Sequence, residues 1–140
     1  MFLLDTNVVS EFRKIGGGKA DRNVADWSAG LRPSDLYLSV ITIHELEIGL
    51  RLITRRDAAQ GAILRTWVES YVLKVFDGRI LPVDTAIALR SAQLHVPDPF
   101  PLADGLIAAT ALVHGMTVVT RNVSDFAATG VTVLNPWAAV

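Results

Sequence analysis

Four carboxylates stand alone among apolar neighbours in this chain: Asp5 in Phe2-Leu3-Leu4-Asp5-Thr6-Asn7, Glu45 in Ile41-Thr42-Ile43-His44-Glu45-Leu46, Asp104 in Leu102-Ala103-Asp104-Gly105-Leu106-Ile107, and Asp125 in Val123-Ser124-Asp125-Phe126. Each falls near a point where a strand pattern hands over to a helix. An acid in such surroundings caps a helix, meets a cation or takes up a proton, because an isolated buried charge is not tolerated. If the four converge, charges about 4 Å apart repel by about 4 kcal/mol per pair at an effective dielectric of about 20. Several such pairs rival a domain's whole stability of about 5–15 kcal/mol. Bound metal or protonation must then relieve the repulsion, and an all-oxygen donor set suits Mg²⁺ or Mn²⁺.

Taken singly, the acids leave two readings open. Asp5 ends a strand and either N-caps the helix starting at Thr6 or projects into the crevice beyond the carboxyl end of a sheet, where ligands gather in open α/β folds. On a helix, Ile41, Glu45, Ile48 and Leu52 form one stripe and Ile43, Leu46, Leu50 and Ile53 another, so Glu45 is expected to point into an apolar face. Glu47 lies off both stripes and can pair with Arg51 four residues on. Asp104 shares a face with Ile107, Ala108 and Ala111 and either caps its helix or projects inward. Asn122 is expected to N-cap a short helix whose first turn carries Asp125; of the two, Asp125 is the better ligand and Asn122 the helper.

Positioning these residues requires strands alternating with helices. Apolar patterning predicts strands at Phe2–Leu4, Leu36–Val40, Thr117–Thr120 and Val131–Leu134, with a short apolar piece at Ile80–Val83. Helices are predicted from Thr6 to about Lys14, over Asp21–Leu31, Ile41–Arg56 and Asp57–Phe76, from an Asp84 cap to Leu94, over Leu102–His114, and briefly over Asn122–Ala127. Ile15–Lys19 with its three glycines is a loop but no phosphate loop, since Lys19 precedes Ala20 rather than Ser or Thr. This alternation implies an α/β fold with a parallel sheet covered on both faces.

The length of 140 residues fits one domain, 1–140, with no repeat or linker. A hydrophobic fraction of 51% and a mean hydropathy of +0.38 exceed what a soluble monomer of this size requires, which points to an interface. The longest apolar stretch, Leu102 to Val119, is interrupted by Asp104, Gly105, His114 and Gly115, and Met1 to Asn7 has no basic leader, so no membrane association and a cytoplasmic location are expected. The absence of Cys leaves only oxygen and His as metal donors. Removing the four acids from a net charge of −1 leaves +3, a weakly basic surface compatible with a phosphate ligand once metal neutralises the pocket.

Other chemistry finds no support. His44-Glu45-Leu46-Glu47-Ile48 lacks the second His of a zinc-protease helix, and no Gly-x-Ser-x-Gly elbow occurs. His44, His95 and His114 are scattered, and Trp27, Trp67 and Trp137 occur singly, as packing residues do. A phosphatase of the haloacid-dehalogenase type would place a second Asp two residues after the first, where Asn7 stands.

Leu4-Asp5-Thr6-Asn7, Ser39 to Leu46, Ala103 to Ala111 and Thr120 to Phe126 resemble, in that order, the motifs of the PIN-domain nucleases, and among them the VapC and FitB branch of toxins from type II toxin–antitoxin systems. The resemblance covers nearly the whole chain. It implies a PIN-like three-layer fold and an endoribonuclease in which Asp5, Glu45, Asp104 and Asp125 meet at one Mg²⁺ or Mn²⁺ site and a metal-activated water attacks phosphorus without a protein nucleophile. Asn122 stands where the family often has another Asp, which leaves open one ion or two. Thr6, Asn7 and Thr120 would orient ligands or water, and Arg13, Lys14, Lys19 and Arg121 are candidates for RNA phosphate contacts. The implied partners are RNA, a cognate antitoxin that covers the groove, and a second copy of the chain, with larger toxin–antitoxin assemblies beyond. The competing expectation is a catalytically silent PIN-like module that binds RNA or protein without cutting.

Overall fold

Five short apolar runs form one parallel sheet in the computed structural model, which describes residues 1–138 and so leaves the last two positions of the expected domain outside the described residues. The strands are β1 (Phe2–Leu4), β2 (Leu36–Ser39), β3 (Ile80–Leu81), β4 (Thr117–Val119) and β5 (Val133–Leu134), in spatial order β3-β2-β1-β4-β5. Leu3 of β1 sits opposite Tyr37 of β2 and Val118 of β4.

The connecting helices are α1 (Thr6–Phe12), α2 (Arg22–Ala29), α3 (Val40–Arg56), α4 (Ala58–Trp67), α5 (Leu73–Val75), α6 (Thr85–Leu94), α7 (Leu102–His114) and α8 (Val123–Phe126). Polar side chains set where they begin: Asp5, Asp21, Ser39, Asp57 and Asp84 accept backbone N–H bonds in the first turns of α1, α2, α3, α4 and α6. Gly115 ends α7 at φ 66°, a left-handed conformation that costs Gly nothing.

Alternation along each strand divides the core in two. Leu4, Leu38 and Val119 face Val8, Val9 and Phe12 of α1 and Val24 of α2, while Leu3 and Val118 face Ile107, Ala108 and Ala111 of α7 and Phe126 of α8. The result is the expected helix–sheet–helix arrangement. Among the described residues no helix is long and apolar enough to cross a membrane.

Several boundaries differ from expectation: β3 ends at Leu81 rather than Val83, β4 at Val119 rather than Thr120, α1 at Phe12 rather than Lys14, and α2 spans Arg22–Ala29. Strand β2 stops at Ser39 instead of Val40 because the Ser39 hydroxyl accepts from Ile41 N–H at 3.0 Å and starts α3. Strand β5 is confined to Val133–Leu134, the two residues that pair with Val118 and Val119. The helix expected over Asp57–Phe76 is interrupted by a π turn at Val68–Val72. That wide turn moves the apolar stripe from Leu64 and Val68, packed beside Leu50 of α3, to Val72 and Phe76, packed in the sheet core.

Candidate active site

The chain leaves β1 for β2 and β3 on one side and returns through β4 on the other, so a topological switch point lies between β1 and β4 at their carboxyl ends. Crevices of this kind bind ligands because the adjoining loops diverge from one another. Asp5 follows β1 directly into it, its N–H donating to the Val119 carbonyl of β4 at 2.9 Å.

Asp5 is only 7% exposed. Its Oδ1 accepts from Thr6 N–H at 2.8 Å, and its Oδ2 accepts from the Thr120 hydroxyl at 2.8 Å and from Asn7 Nδ2 at 3.4 Å. Thr120, fully buried, in turn accepts from Asn122 N–H at 3.0 Å and Asn7 Nδ2 at 3.3 Å, and Asn7 Oδ1 accepts from Arg121 N–H at 3.3 Å. Thr120, Asn7 and the backbone of the turn after β4 therefore fix the orientation of Asp5.

Across the crevice, Thr6 Oγ1 donates to Glu45 Oε1 at 2.7 Å and lies 3.4 Å from Thr42 Oγ1. Glu45 is half-buried, and the stripe assigned to it is not a core face: Ile41 touches the core, but Ile48 and Leu52 are exposed. The opposite stripe, with Ile43, Leu46, Leu50 and Ile53, carries the packing. Glu45 thus sits at the rim where its stripe leaves the protein, and a Thr hydroxyl rather than an apolar wall meets it.

Asp104 does not cap α7; Pro101 occupies the cap position and Asp104 lies in the first turn, free to face the other acids. Asn122 holds the cap position of α8 without a side-chain bond, because its backbone at φ −93°, ψ 63° is not the extended conformation from which a capping side chain reaches back. Its contribution is its N–H to Thr120. Asp125 is exposed and within electrostatic reach of both Asp5 and Asp104.

The electrostatics record this convergence. Burial, then the charges of Asp5, Asp125 and Glu45, push Asp104 from its ordinary 3.8 up to about 6. Burial also raises Asp5, with Asp125 adding to the shift, while the bonds from Thr120 and Thr6 oppose it. Among the described residues none of the four acids takes part in a salt bridge. Nor, among the described residues, is any group of three or more His, Asp or Glu side chains gathered closely enough to hold an ion as it stands. An all-oxygen, negatively charged donor set with no cationic side chain in it fits a hard divalent ion.

A cleft of about 230 Å³ runs from Thr6 and Glu45 past Leu46, Gly49, Leu50, Ile53, Leu64, Trp67 and Val68, with Ser10, Arg13 and Lys14 on its α1 side. Arg13 and Lys14 also border a surface hollow with Gly17 and Lys19. Three of the four candidate phosphate contacts therefore border one hollow; the fourth, Arg121, follows β4, with its N–H bonded to Asn7 of α1 and its guanidinium 5.4 Å from the Trp137 ring. Sequence reasoning missed Thr42, fully buried and three residues before Glu45, whose spacing on one helix face was the available signal. It also missed Arg65, which grips Glu47 through two bonds of 2.7 and 2.8 Å and joins α4 to α3.

The family description "PIN domain" matches residues 2–131. Toxin FitB of Neisseria gonorrhoeae is 39% identical over 98% of this chain and 99% of its own, and a VapC ribonuclease of Sinorhizobium fredii is 38% identical over 98% of each. The crystal structure of FitAcB from Neisseria gonorrhoeae contains a chain that superposes with a TM-score of 0.89 at 38% identity, covering 99% of this chain and 100% of that one. With its four motifs on one crevice and relatives matched end to end, this chain belongs to the PIN-domain family.

Proposed function

We propose that this chain, as one domain, is the toxin of a type II toxin–antitoxin pair, an endoribonuclease that hydrolyses RNA phosphodiester bonds with Mg²⁺ or Mn²⁺ held by Asp5, Glu45, Asp104 and Asp125. The observation that carries it is the set of four acids at the switch point, with Asp104 held up at about 6 by burial and by the other three. The names of the relatives, a toxin and a VapC ribonuclease, support the nuclease and toxin reading. Bound there, the ion supplies Lewis-acid charge that activates water and stabilises the phosphoryl oxygens and the departing 3′ oxygen. The chain's own part is orientation. Thr120 and Asn7 hold Asp5, Thr6 holds Glu45, and Arg13, Lys14 and Lys19 offer positive charge to the incoming backbone.

The partner is a cognate antitoxin covering the cleft beside Glu45; the similar FitAB structure is bound to an IR36 DNA fragment, and a neighbour from Klebsiella pneumoniae at 26% identity is a toxin–antitoxin complex. A homodimer fits the apolar side chains exposed at Ile48 and Leu52 on α3 and at Leu89 and Leu102 on α6 and α7. A soluble cytoplasmic location accords with this reading.

Purified protein freed of any partner is incubated with a mixed structured-RNA pool and Mg²⁺, Mn²⁺ or chelator, beside Asp5→Ala and Glu45→Gln. Metal-dependent cutting that falls at least about 100-fold in folded variants is expected. Full activity in a variant removes that residue from the site, and metal-independent cutting equal in all samples rejects the assignment.

A further inference from the structure

Arg121 and Trp137 meet beside the site from two different strand ends. Because the sheet is parallel, the turn Asn135-Pro136-Trp137 leaves β5 on the same edge where Asp5 leaves β1 and Thr120 leaves β4. Trp137 is fixed there: its N–H donates to Asn135 Oδ1 at 2.9 Å, its carbonyl accepts from Asn23 Nδ2 at 2.8 Å, and its ring packs partly on the sheet core. The Arg121 guanidinium carbon lies 5.4 Å from the centre of that ring. Its backbone N–H is tied to Asn7, which is itself bonded to Asp5, so the start of the Arg121 side chain is held two hydrogen bonds from a proposed metal ligand.

The positive charge of Arg121 is uncommitted. Glu11 lies within its electrostatic reach but is bonded to Lys14 at 3.1 Å and to Asp21 N–H at 2.7 Å. Among the described residues Arg121 forms no salt bridge, and its side chain is exposed. A guanidinium held over an indole face keeps N–H edges free while losing rotamer freedom, and is therefore better placed for a bidentate phosphate contact.

We propose that Trp137 is a positioning residue that holds Arg121, at the carboxyl end of β4, as a phosphate grip for single-stranded RNA. This rests on the nuclease reading. The β5 turn then contributes to substrate placement without touching the reacting atoms.

The test is the salt dependence of RNA affinity, measured by fluorescence anisotropy with a fluorescein-labelled single-stranded RNA of mixed sequence and Mg²⁺, in the Asp5→Asn background so that the probe survives. Arg121→Met is expected to lower the slope of log affinity against log salt by about 0.7, the share of one phosphate contact on a single strand. Trp137→Leu removes no charge, yet is expected to lower the slope by the same amount, and the double variant no further. Trp137→Phe keeps an aromatic face and with it the slope. A folding defect alone changes the active fraction and leaves the slope untouched. An unchanged slope in either Arg121→Met or Trp137→Leu overturns the proposal, as does a double variant whose losses add. Should Trp137→Leu not fold, Asn23→Ala releases the Trp137 turn from outside the core: a reduced slope supports the grip and an unchanged one rejects it. Cleavage of the same RNA by wild-type protein with Mg²⁺ reports separately on the nuclease reading, so the two can fail independently.

Discussion

Asp5 caps α1 and still faces the crevice because its two oxygens are divided between the tasks: Oδ1 takes the Thr6 N–H, and Oδ2 takes Thr120 and Asn7. Cap and ligand, which the sequence leaves as alternatives, are compatible in one carboxylate. Thr120 is the residue on which that division depends, so Thr120→Val is expected to destabilise the fold by about 1–3 kcal/mol, since it strips Asp5 and Asn122 N–H of a buried partner. It is also expected to weaken metal binding by about 10- to 100-fold, as loss of a ligand's orienting partner does. Denaturant melts and metal titration followed by thermal shift measure the two effects, and unchanged metal affinity would remove Thr120 from the positioning role. Asp104 gives a pH test. Its folded value of about 6 stands above the ordinary 3.8, so its contribution to metal-free stability is fully present below 3.8 and is lost as pH rises through about 6. Asp104→Asn, neutral throughout, is expected to melt higher than wild type at pH 7 in chelator, with the gap closing as pH falls towards 4. A constant gap would show that the Asp104 carboxyl is not raised in the folded protein.

At the scale of elements, helix starts were legible where a short polar residue precedes an apolar run: Asp57 and Asp84 cap α4 and α6 as their positions foretell. The Glu45 stripe was misleading because periodicity identifies an apolar face without saying whether the protein covers it, and here Ile48 and Leu52 lie open. The π turn at Val68–Val72 was hidden for a related reason. Its cause is the change of packing partner from α3 to the sheet, a tertiary demand with no local signal. Gly61 belongs to the same hairpin. A Cβ there would stand 2.1 Å from Thr54 Oγ1 and 2.8 Å from Thr54 Cα, so α3 and α4 approach as closely as they do only because position 61 has no side chain. Gly61→Ala is expected to push the helices apart at a cost of about 1–3 kcal/mol, outweighing the better helix propensity of Ala. Since Leu50 and Leu64 line the cleft from either helix, binding of a cognate antitoxin should weaken as well. Thermal denaturation and a pull-down with that antitoxin check both; a more stable variant would mean that α3 and α4 can separate at position 61 at little cost.

For the whole molecule, the balance of charge governs how RNA approaches. A chain of net charge −1 repels a polyanion slightly, and the repulsion is strongest at the crevice, where four carboxylates face the place the phosphate must reach. One divalent ion offsets two of the four negative charges and brings the net charge from −1 to +1, so the ion of the proposed mechanism has a second consequence besides chemistry: it weakens the repulsion at the site and makes the chain weakly attractive to RNA. This electrostatic role can be separated from coordination by removing the charge without supplying metal. In chelator, the double variant Asp104→Asn, Asp125→Asn is expected to bind a single-stranded RNA about 30-fold more tightly than wild type, corresponding to about 2 kcal/mol for relief of two unit charges, each at about 4 Å in a water-like dielectric. With saturating Mg²⁺ the order should disappear or reverse, because the ion offsets two charges in wild type, as many as the variant lacks, and the variant has lost two ligands for it. Raising salt should shrink the difference in chelator, since screening acts on exposed charges such as Asp125. Anisotropy titrations under the three conditions decide the matter: equal affinities in chelator at low salt would mean that RNA does not approach the acids at all, and that the crevice between β1 and β4 is not where the substrate lies.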